Sequence, residues 1–399
     1  MEITSKKISI VGGGASGMIA ALELSKTHKV QLFEKGKTLG RKFLVAGKGG
    51  FNLSNDLKGE QLIDKYRPEN FFTPILNNFD SSATRNLLAE LGIKTFIGSS
   101  GRIFPEPGIK PIDVLNAIKN KLLERGVQIH YNHEFIAFNE KEIRFKTMNG
   151  TLVQSFDTCI FALGGASWPI TGSNGKWLEA FQNNNIANLP FEAANCGLEI
   201  DYSNTNLSQY FGSPLKNIRV SINNTTVKGE AVISEYGLEG NAIYPIASDV
   251  REQLKRTGAA NINIDLKPFN TETSLLNKIS ATTLAKNYAY LFKLNKTQIA
   301  FLKGFTDKQS YLNPITFVKA LKNLSVPISA LRPIEEAIST VGGIDRDELN
   351  PDLSLKKMPH IYIIGEMFDW DTITGGFLLQ ACFSTAIFAA KHIVLKTKN

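Results

Sequence analysis

The hydrophobic pattern at the start of the chain predicts a strand, a tight turn and a helix. Residues 8–11 form a short β-branched run, and Ala and Leu recur at helical spacing over residues 18–25. Three glycines between them complete a GxGxxG pattern, in which the first permits the turn, the second lets a pyrophosphate approach the backbone, and the third allows close packing of helix on strand. The predicted cofactor contacts in this turn are Gly12, Gly14, Ala15, Ser16 and Gly17.

A second apolar run, residues 30–33, predicts the next strand, and Glu34 follows it directly. An acidic residue about 20 positions after the glycines binds the ribose hydroxyls of a dinucleotide. Because glutamate rather than arginine stands there, the pattern argues against a 2′-phosphate and favours FAD or NAD over NADP. Glu34 and the adjacent Lys35 are therefore predicted cofactor contacts.

Residues 36–55 are rich in glycine and predict a loop whose backbone runs along a ligand. Arginine and lysine in this loop offset pyrophosphate charge, and its peptide N–H groups reach the polar edge of a flavin. The predicted contacts are Arg41, Lys42, Gly47, Lys48, Gly49 and Asn52.

Two further apolar runs make FAD the favoured nucleotide. Residues 361–364 predict a strand, and a helix is predicted from Phe377, so we expect a second strand-to-helix junction of the same kind as the first. The start of that helix favours the negative charge of a reduced flavin, and Glu366 is expected to face the ribityl hydroxyls. Residues 158–165 predict a strand closed by a glycine pair, and one nucleotide that touches all three segments is FAD. The predicted contacts are Ala162, Leu163, Gly164, Gly365, Glu366, Asp369, Gly375, Gly376 and Phe377.

Composition changes this picture little. The 399 residues carry a formal net charge of +8, and their scattered lysines favour a solvated surface over a nucleic-acid partner. Polar residues interrupt the long apolar stretch 377–395, which predicts a buried helix rather than a membrane span. The apolar run near the first residue is too short for a signal peptide, and the three cysteines lack the spacing of a metal site. We therefore expect a cytoplasmic protein without metal.

Six stretches resemble the HI0933-like flavoproteins, which include BaiN-type and aminoacetone oxidase-like FAD enzymes. The stretches are GGGASGMIAA from Gly12, GRKFLVAGKGGFNLSN from Gly40, GRIFPEP from Gly101, ALGGASWPITGSNG from Ala162, STVGGI from Ser339 and IIGEMFDWDTITGGFLLQACFS from Ile363. They span nearly the whole chain in the order found in that family.

The resemblance implies an α/β fold with a Rossmann-type, glutathione-reductase-like FAD-binding domain in residues 1–190 and 340–399. A β-rich domain is implied in residues 191–270 and 325–339, and a small helical insert in residues 271–324. The sequence agrees, because short alternating segments predict strands over 191–268 and helical spacing dominates 271–324.

The chain departs from the family pattern in two places. Where the family commonly has SGxGRCN, residues 46–52 read AGKGGFN, so the cysteine and the arginine are absent and a mechanism through that thiol is excluded. Where the family has FTHxGxSGP, residues 233–241 read ISEYGLEGN, which replaces histidine by Glu235 and proline by Asn241. Because the resemblance implies that this segment overhangs the flavin, the substrate is expected to differ.

The leading hypothesis is an FAD-dependent oxidoreductase acting on a small organic molecule. A second GxGxxG is absent, so NAD(P)H, if it is the electron donor, is expected to bind transiently over the flavin, and oxygen or a quinone is open as the other electron carrier. The alternatives are an RNA-modifying flavoprotein and a non-enzymatic flavin redox sensor. Arg102 is the preferred contact for an anionic substrate, since a guanidinium binds a carboxylate through two bonds. The candidate substrate contacts are Arg102, Glu235, Tyr236, Asp369 and Asp371. The sequence leaves the substrate, the electron carriers and the oligomeric state open.

Overall fold

A computed structural model describes residues 6–45, 50–280 and 282–397 of the chain. It divides into two compact units, Met1–Glu192 with Ser339–Asn399, and Ala193–Ile338. The first unit is therefore built from both ends of the chain, with the second inserted between them. The mixed α/β architecture, with a Rossmann-type parallel sheet in the first unit, agrees with the predicted fold class.

The strands and helices are numbered in chain order. The strands are β1 (Lys7–Val11), β2 (Lys29–Phe33), β3 (Ser54–Asn55), β4 (Tyr66–Arg67), β5 (Thr95–Ile97), β6 (Arg102–Pro105), β7 (Gln128–His130), β8 (Glu134–Phe138), β9 (Glu142–Thr147), β10 (Gly150–Ser155), β11 (Thr158–Phe161), β12 (Asn188–Ala194), β13 (Leu198–Glu199), β14 (Pro214–Ile222), β15 (Thr225–Ser234), β16 (Gly237–Glu239), β17 (Ala260–Asp265), β18 (Leu324–Ile328), β19 (Ala330–Leu331), β20 (Ser339–Ile344), β21 (Ile361–Ile363) and β22 (Asp371–Thr372). The helices are α1 (Ala15–Leu24), α2 (Arg41–Val45), α3 (Glu60–Ile63), α4 (Glu69–Asn78), α5 (Ser81–Glu90), α6 (Pro111–Glu124), α7 (Leu178–Gln182), α8 (Ala247–Thr257), α9 (Glu272–Leu276), α10 (Tyr288–Leu291), α11 (Lys296–Gly304), α12 (Lys308–Leu312), α13 (Pro314–Lys322) and α14 (Phe377–Lys396).

A five-stranded parallel sheet forms the centre of the first unit, in the order β21-β11-β1-β2-β7. Strands β1, β2, β11 and β21 are mostly apolar, which is typical of a parallel sheet covered on both faces, and Ile8, Ile10 and Leu32 are fully buried. From β1 the chain proceeds to β2 on one side, whereas β11 and β21 lie on the other side. The order therefore reverses at β1, which opens a crevice at the carboxyl ends of the strands.

Helices α1 and α14 consist mostly of apolar residues, and they lie inside the first unit. Ala20, Ala21, Ala389 and Ala390 are fully buried. By length and composition alone α14 is apolar enough to cross a membrane, but most of it is buried within this unit. Its polar Gln380 is satisfied internally, accepting from Ser54 and Thr84 and donating to the carbonyl of Phe79.

The connections in the first unit carry more structure than the sequence predicted. The segment predicted as a loop, residues 36–55, contains the short helix α2 and the strand β3, and β3 pairs with β6. The C-terminal junction also differs from the GxGxxG turn, because β22 lies between β21 and α14 and pairs with β4. Pairing with partners from distant parts of the chain is the physical reason for both differences.

The second unit is built on a seven-stranded antiparallel sheet, in the order β18-β17-β14-β15-β16-β13-β19. Alternating residues of its strands form the core, including the fully buried Ile218, Val220 and Ile262. Helices α9 to α13 lie within the predicted helical insert, 271–324. Helix α8 lies inside the segment predicted as β-rich, which was not expected.

Candidate functional site

The GxGxxG turn joins β1 to α1 at the crevice of the first unit. Gly12 has φ +110°, and a Cβ there would lie 2.3 Å from the carbonyl oxygen of Ala162. A Cβ on Gly17 would lie 1.9 Å from the oxygen of Gly12, so both positions require glycine. A Cβ on Gly14, in contrast, would meet nothing within 4 Å. The open space at Gly14 lies at the start of α1, which has no side-chain cap and is free to bind an anion.

Glu34 is held beside this turn by two backbone N–H groups. Its Oε2 accepts from Gly13 N at 2.9 Å, and its Oε1 accepts from Gly36 N at 2.7 Å. Each carboxylate oxygen has further acceptor capacity, and ribose hydroxyls are donors that suit it. The predicted ribose contact therefore lies next to the predicted phosphate position, as a dinucleotide requires.

Lys42 and Glu366 form an ion pair between residues 324 positions apart in the sequence. Lys42 Nζ lies 2.9 Å from Glu366 Oε2 and donates to Ser167 Oγ at 2.8 Å. The other carboxylate oxygen, Glu366 Oε1, is buried and has no hydrogen-bond partner among the described residues. A buried acceptor without a donor is costly, so this oxygen is available to a ligand that carries hydroxyl groups.

The start of α14 is fixed by close backbone contact with β3. A Cβ on Gly376 would lie 2.1 Å from the oxygen of Ser54, and Asn55 Nδ2 donates to the oxygen of Gly375 at 3.1 Å. Gly376 caps the helix in a left-handed conformation, without a side-chain cap and without acid in the first turn. The positive end of a 20-residue helix therefore remains available to an electron-rich group.

Arg102 lies at this helix start, where β6 pairs with β3. Its Nε is 3.7 Å from the position of a Cβ on Gly375. In the part of the chain that the structure describes, no hydrogen bond or ion pair engages its guanidinium, and the residue is partly exposed. An unengaged guanidinium beside a helix N-terminus forms a strongly positive region.

Other predicted cofactor residues border the same strand ends. Lys35 Nζ donates to the oxygen of Gly172, and Arg41 Nη2 donates to the oxygen of Ile170 at 2.7 Å. Leu163 N donates to Met367 Sδ at 3.0 Å, which ties the turn after β11 to the segment after β21. The predicted contacts Gly47, Lys48 and Gly49 lie outside the described residues, while Asn52 and the buried Phe377 are described.

The remaining candidate substrate contacts are divided between the two units. Asp369 forms an ion pair with Arg346 and accepts from Gly342 N at 3.0 Å. Its carboxylate therefore connects the segment after β21 to Gly342 in β20 and to Arg346. Asp371 lies in β22. The other two belong to the second unit, in the hairpin that joins β15 to β16. There Glu235 is exposed, whereas Tyr236 donates to Glu239 Oε2 at 2.5 Å and lies under the guanidinium of Arg332.

Sequence reasoning missed several residues of the crevice, namely Ser54, Ser167 and Cys382. Burial raises the pKa of the Cys382 thiol to about 12, with the charge of Glu366 as a second cause, while Ser16 lowers it. The only available signal was their position inside the stretches that resemble the family. Among the described residues, no group of His, Cys, Asp or Glu is arranged to hold a metal ion.

We expect Cys382 to react slowly with thiol reagents in the native protein. With a pKa of about 12, only about one thiol in ten thousand is ionised at pH 8, and the thiolate is the reactive species. Titration with Ellman's reagent should show slow release at this residue before unfolding and rapid release in guanidinium chloride. The Cys382→Ser variant identifies the signal, and a rapid native phase that disappears in this variant contradicts the prediction.

The donor set fits FAD. A dinucleotide places phosphates at an uncapped helix start, ribose hydroxyls at a carboxylate and ribityl hydroxyls at a second carboxylate. The first unit has α1 with the open position at Gly14, Glu34 beside it, and Glu366, whose buried Oε1 has no partner among the described residues. The uncapped start of α14 is available to the flavin.

Comparison with known proteins gives consistent results. A family model described as the HI0933-like protein Rossmann domain matches residues 6–392. The chain is 24% identical to a 3-dehydro-bile acid delta(4,6)-reductase of Clostridium scindens, over 96% of this chain and 98% of the relative. It is also 24% identical to a ribosomal RNA dihydrouridine synthase of Escherichia coli, over 96% and 97%.

Among solved structures, the chain resembles a 3-ketosteroid delta1-dehydrogenase of Sterolibacterium denitrificans. The TM-score is 0.55 at 12% sequence identity, and the match covers 98% of this chain and 100% of the other. This similarity supports the fold.

Proposed function

The chain belongs to the HI0933-like Rossmann-domain family of FAD-binding oxidoreductases, and we propose that it reduces a carbon–carbon double bond conjugated to a carbonyl group in a small organic substrate. The observation that carries the proposal is the crevice at the carboxyl ends of β1, β11 and β21. Its buried Glu366 Oε1 lacks a partner in the described chain and suits a hydroxylated cofactor.

The names of two relatives support this reaction class. One reduces a double bond of a 3-dehydro-bile acid, which carries a ketone. The other makes dihydrouridine, that is, uridine whose C5–C6 double bond has been reduced beside a carbonyl. In both reactions a hydride equivalent and a proton add across a double bond that a carbonyl polarises. We infer the same class for this chain, which aligns with both relatives over nearly its full length.

Each residue of the crevice has a role in this proposal. The start of α1 at Gly14 holds the pyrophosphate, Glu34 accepts from the ribose hydroxyls, and Glu366 accepts from the ribityl hydroxyls while Lys42 balances its charge. FAD, when bound, supplies two-electron hydride chemistry. The start of α14 stabilises negative charge, and Arg102 binds the carbonyl or carboxylate oxygen of the substrate.

We propose NADH or NADPH as the electron donor, bound transiently because the chain has a single GxGxxG. Overall, the reduced nicotinamide and one proton are consumed, the nicotinamide is oxidised, and the double bond becomes a single bond. The test is an anaerobic stopped-flow titration of the purified FAD protein with NADH and NADPH, in which flavin absorbance near 450 nm is followed. Oxidation is then tested with cyclohex-2-enone, 4-androstene-3,17-dione and fumarate.

Rapid bleaching by either nicotinamide, followed by reoxidation with at least one of the three unsaturated probes, supports the proposal. Bleaching without reoxidation by any probe contradicts the reduction of such a double bond in a small organic substrate. A protein that takes up FAD but turns over with no donor is a redox sensor rather than an enzyme. A protein that cannot take up FAD contradicts the whole proposal.

A second candidate is reduction of uridine in RNA. It is favoured because the ribosomal RNA dihydrouridine synthases of Escherichia coli and Haemophilus influenzae each align with 96% of this chain. The discriminating measurement is the dihydrouridine content of in vitro transcribed ribosomal RNA after incubation with the enzyme and NADPH. Dihydrouridine formation together with inactivity on the three small probes would favour this candidate over the first.

We expect Arg102→Gln to weaken the binding of anionic substrates more than that of neutral substrates. The amide cannot form the paired, charge-assisted bonds that a guanidinium forms with a carboxylate, so KM for fumarate should rise about tenfold or more. KM for neutral cyclohex-2-enone should change less than about threefold. FAD content and thermal stability serve as controls. Equal losses with both probes would contradict a role in binding carboxylates.

A further inference from the structure

Most of the net charge of the chain lies in the helical insert, residues 271–324. This segment contains eight lysines and two acids, Glu272 and Asp307, and so carries a formal charge of +6 out of the +8 of the whole chain. The lysines are spread along the sequence, but the fold brings four of them together. The local charge is therefore much greater than the sequence pattern indicates.

Two adjoining grooves of the second unit share Lys303. One has a volume of about 470 Å³ and is also lined by Lys286 and Lys308. The other has a volume of about 440 Å³ and is also lined by Lys296. We call the two together the lysine groove. Among the residues that the structure describes, no Asp or Glu lines either part. Asp307 at the start of α12 is an exposed helix cap that accepts from Ser310 N.

The four lysines of the lysine groove are exposed. No ion pair engages any of them in the part of the chain that the structure describes. Lys322, in contrast, has only 14% of its side chain exposed and forms an ion pair with the buried Asp265 at 2.6 Å. Four unpaired cations along one groove repel each other, and an anionic partner would relieve that repulsion.

Aromatic and amide groups accompany the lysines. Tyr311 lies in the groove with its ring 5.3 Å from Lys303 Nζ, and Tyr210 lines the other part. Tyr290 lines neither part, but it follows Ala289, which does, and it is 86% exposed. The amides that line the groove are those of Asn204, Asn206, Gln209 and Asn295. Cations interleaved with exposed rings and amides are the groups that bind phosphates, bases and 2′-hydroxyls.

We propose that the lysine groove binds single-stranded RNA. Lys286, Lys296, Lys303 and Lys308 neutralise successive phosphates, Tyr290 stacks on a base, and the amides bond the riboses and base edges. An acidic protein would satisfy the charge but would leave the exposed ring and the amides without a role. The inference goes beyond the proposed flavin reaction, because it concerns where a polymer is held and not which bond is reduced.

The test measures binding of fluorescein-labelled oligouridylate, about 12 nucleotides long, to the full-length FAD protein by fluorescence anisotropy. Wild type should bind with an affinity that falls steeply between about 50 and 200 mM salt. The triple variant Lys286→Glu, Lys303→Glu, Lys308→Glu should raise Kd at least about tenfold. It should also reduce the slope of log K against log salt by about 2, since each lost phosphate contact removes about 0.7.

The matched control is the triple variant Lys58→Glu, Lys94→Glu, Lys141→Glu, which makes the same charge change on exposed lysines of the first unit. Its Kd should change less than about threefold. Tyr290→Ala should raise Kd about tenfold through lost stacking, without affecting the fold. FAD content and nicotinamide oxidation should be unchanged in all three variants, which separates this inference from the flavin reaction.

Equal effects of the two triple variants would overturn the proposal, because binding would then reflect net charge alone. Displacement of the RNA by polyphosphate at equal charge, together with wild-type Kd for Tyr290→Ala, would also overturn it and indicate a general anion surface. A loss of RNA binding confined to the lysine groove and Tyr290 variants supports it, whatever the outcome of the flavin assays.

Discussion

Gly12→Ala is expected to abolish FAD binding and to lower the free energy of unfolding by about 3 kcal/mol or more. Gly12 has φ +110°, where an L-residue is strained, and the added Cβ would lie 2.3 Å from the oxygen and 2.7 Å from the carbon of the Ala162 carbonyl. The clash cannot be relieved by rotating a side chain, because both obstructing atoms belong to the backbone after β11. Either β1 or β11 must move, and both end at the crevice.

Gly14→Ala is the matched control, since it adds the same methyl group two residues away. A Cβ there meets nothing within 4 Å, and φ is −78°, so the folded chain accepts it without strain. The apo-protein should unfold within about 0.5 kcal/mol of wild type in urea. FAD affinity should nevertheless fall about 100-fold, because the methyl group occupies the space through which a pyrophosphate approaches the helix start.

The two variants distinguish an effect on the stability of the fold from an effect on FAD affinity. Urea denaturation of the apo-proteins measures the first, and quenching of FAD fluorescence on binding measures the second. If Gly14→Ala binds FAD as tightly as wild type, the pyrophosphate does not lie at α1 and the cofactor assignment of this turn is wrong. If Gly12→Ala is as stable as wild type, the backbone contact with Ala162 does not hold the turn.

The central sheet was predictable because its signals are local. Each of these strands is a short apolar run that ends near a glycine or, for residues 30–33, at Glu34. The predictions 8–11, 30–33 and 361–364 agree with the strands within one residue, whereas the prediction 158–165 includes the glycine-containing turn after β11, which ends at Phe161. The helix at Phe377 was recognised because glycines precede a long apolar segment. These strands and this helix are determined by residues close together in the sequence, so a single sequence is enough to predict them.

Other features depend on contacts between residues that are distant in the sequence, and a single sequence does not show which distant residues meet. Strands β3 and β22 are two residues each and exist only because β6 and β4 pair with them. Asp369 is a predicted substrate contact because it is polar and near a glycine-rich turn, whereas the fold pairs its carboxylate with Arg346. The lysine groove is likewise invisible in the sequence, since its four cations come from separate turns of the helical insert.

Lys42→Met is expected to lower the free energy of unfolding by about 3 kcal/mol, because it leaves a largely buried carboxylate without its cation. Glu366 has 11% of its side chain exposed, and its Oε1 already lacks a partner in the described chain. Glu366→Gln should cost only about 1 kcal/mol, because Lys42 is 31% exposed and retains Ser167 and water as partners. The double variant, Lys42→Met with Glu366→Gln, removes both charges.

The double variant should be less destabilised than the sum of the two single variants by about 2 kcal/mol, because it contains no uncompensated charge. Urea denaturation of the four apo-proteins completes this cycle. FAD binding separates the two roles of Glu366: we expect Glu366→Gln to weaken it about tenfold or more, since the carboxylate is a stronger acceptor for hydroxyl groups than the amide. Additive stabilities would show that the ion pair is not coupled in solution. Unchanged FAD affinity in Glu366→Gln would show that the unpaired oxygen does not bind the cofactor, and the ribityl contact would then have to be sought elsewhere in the crevice.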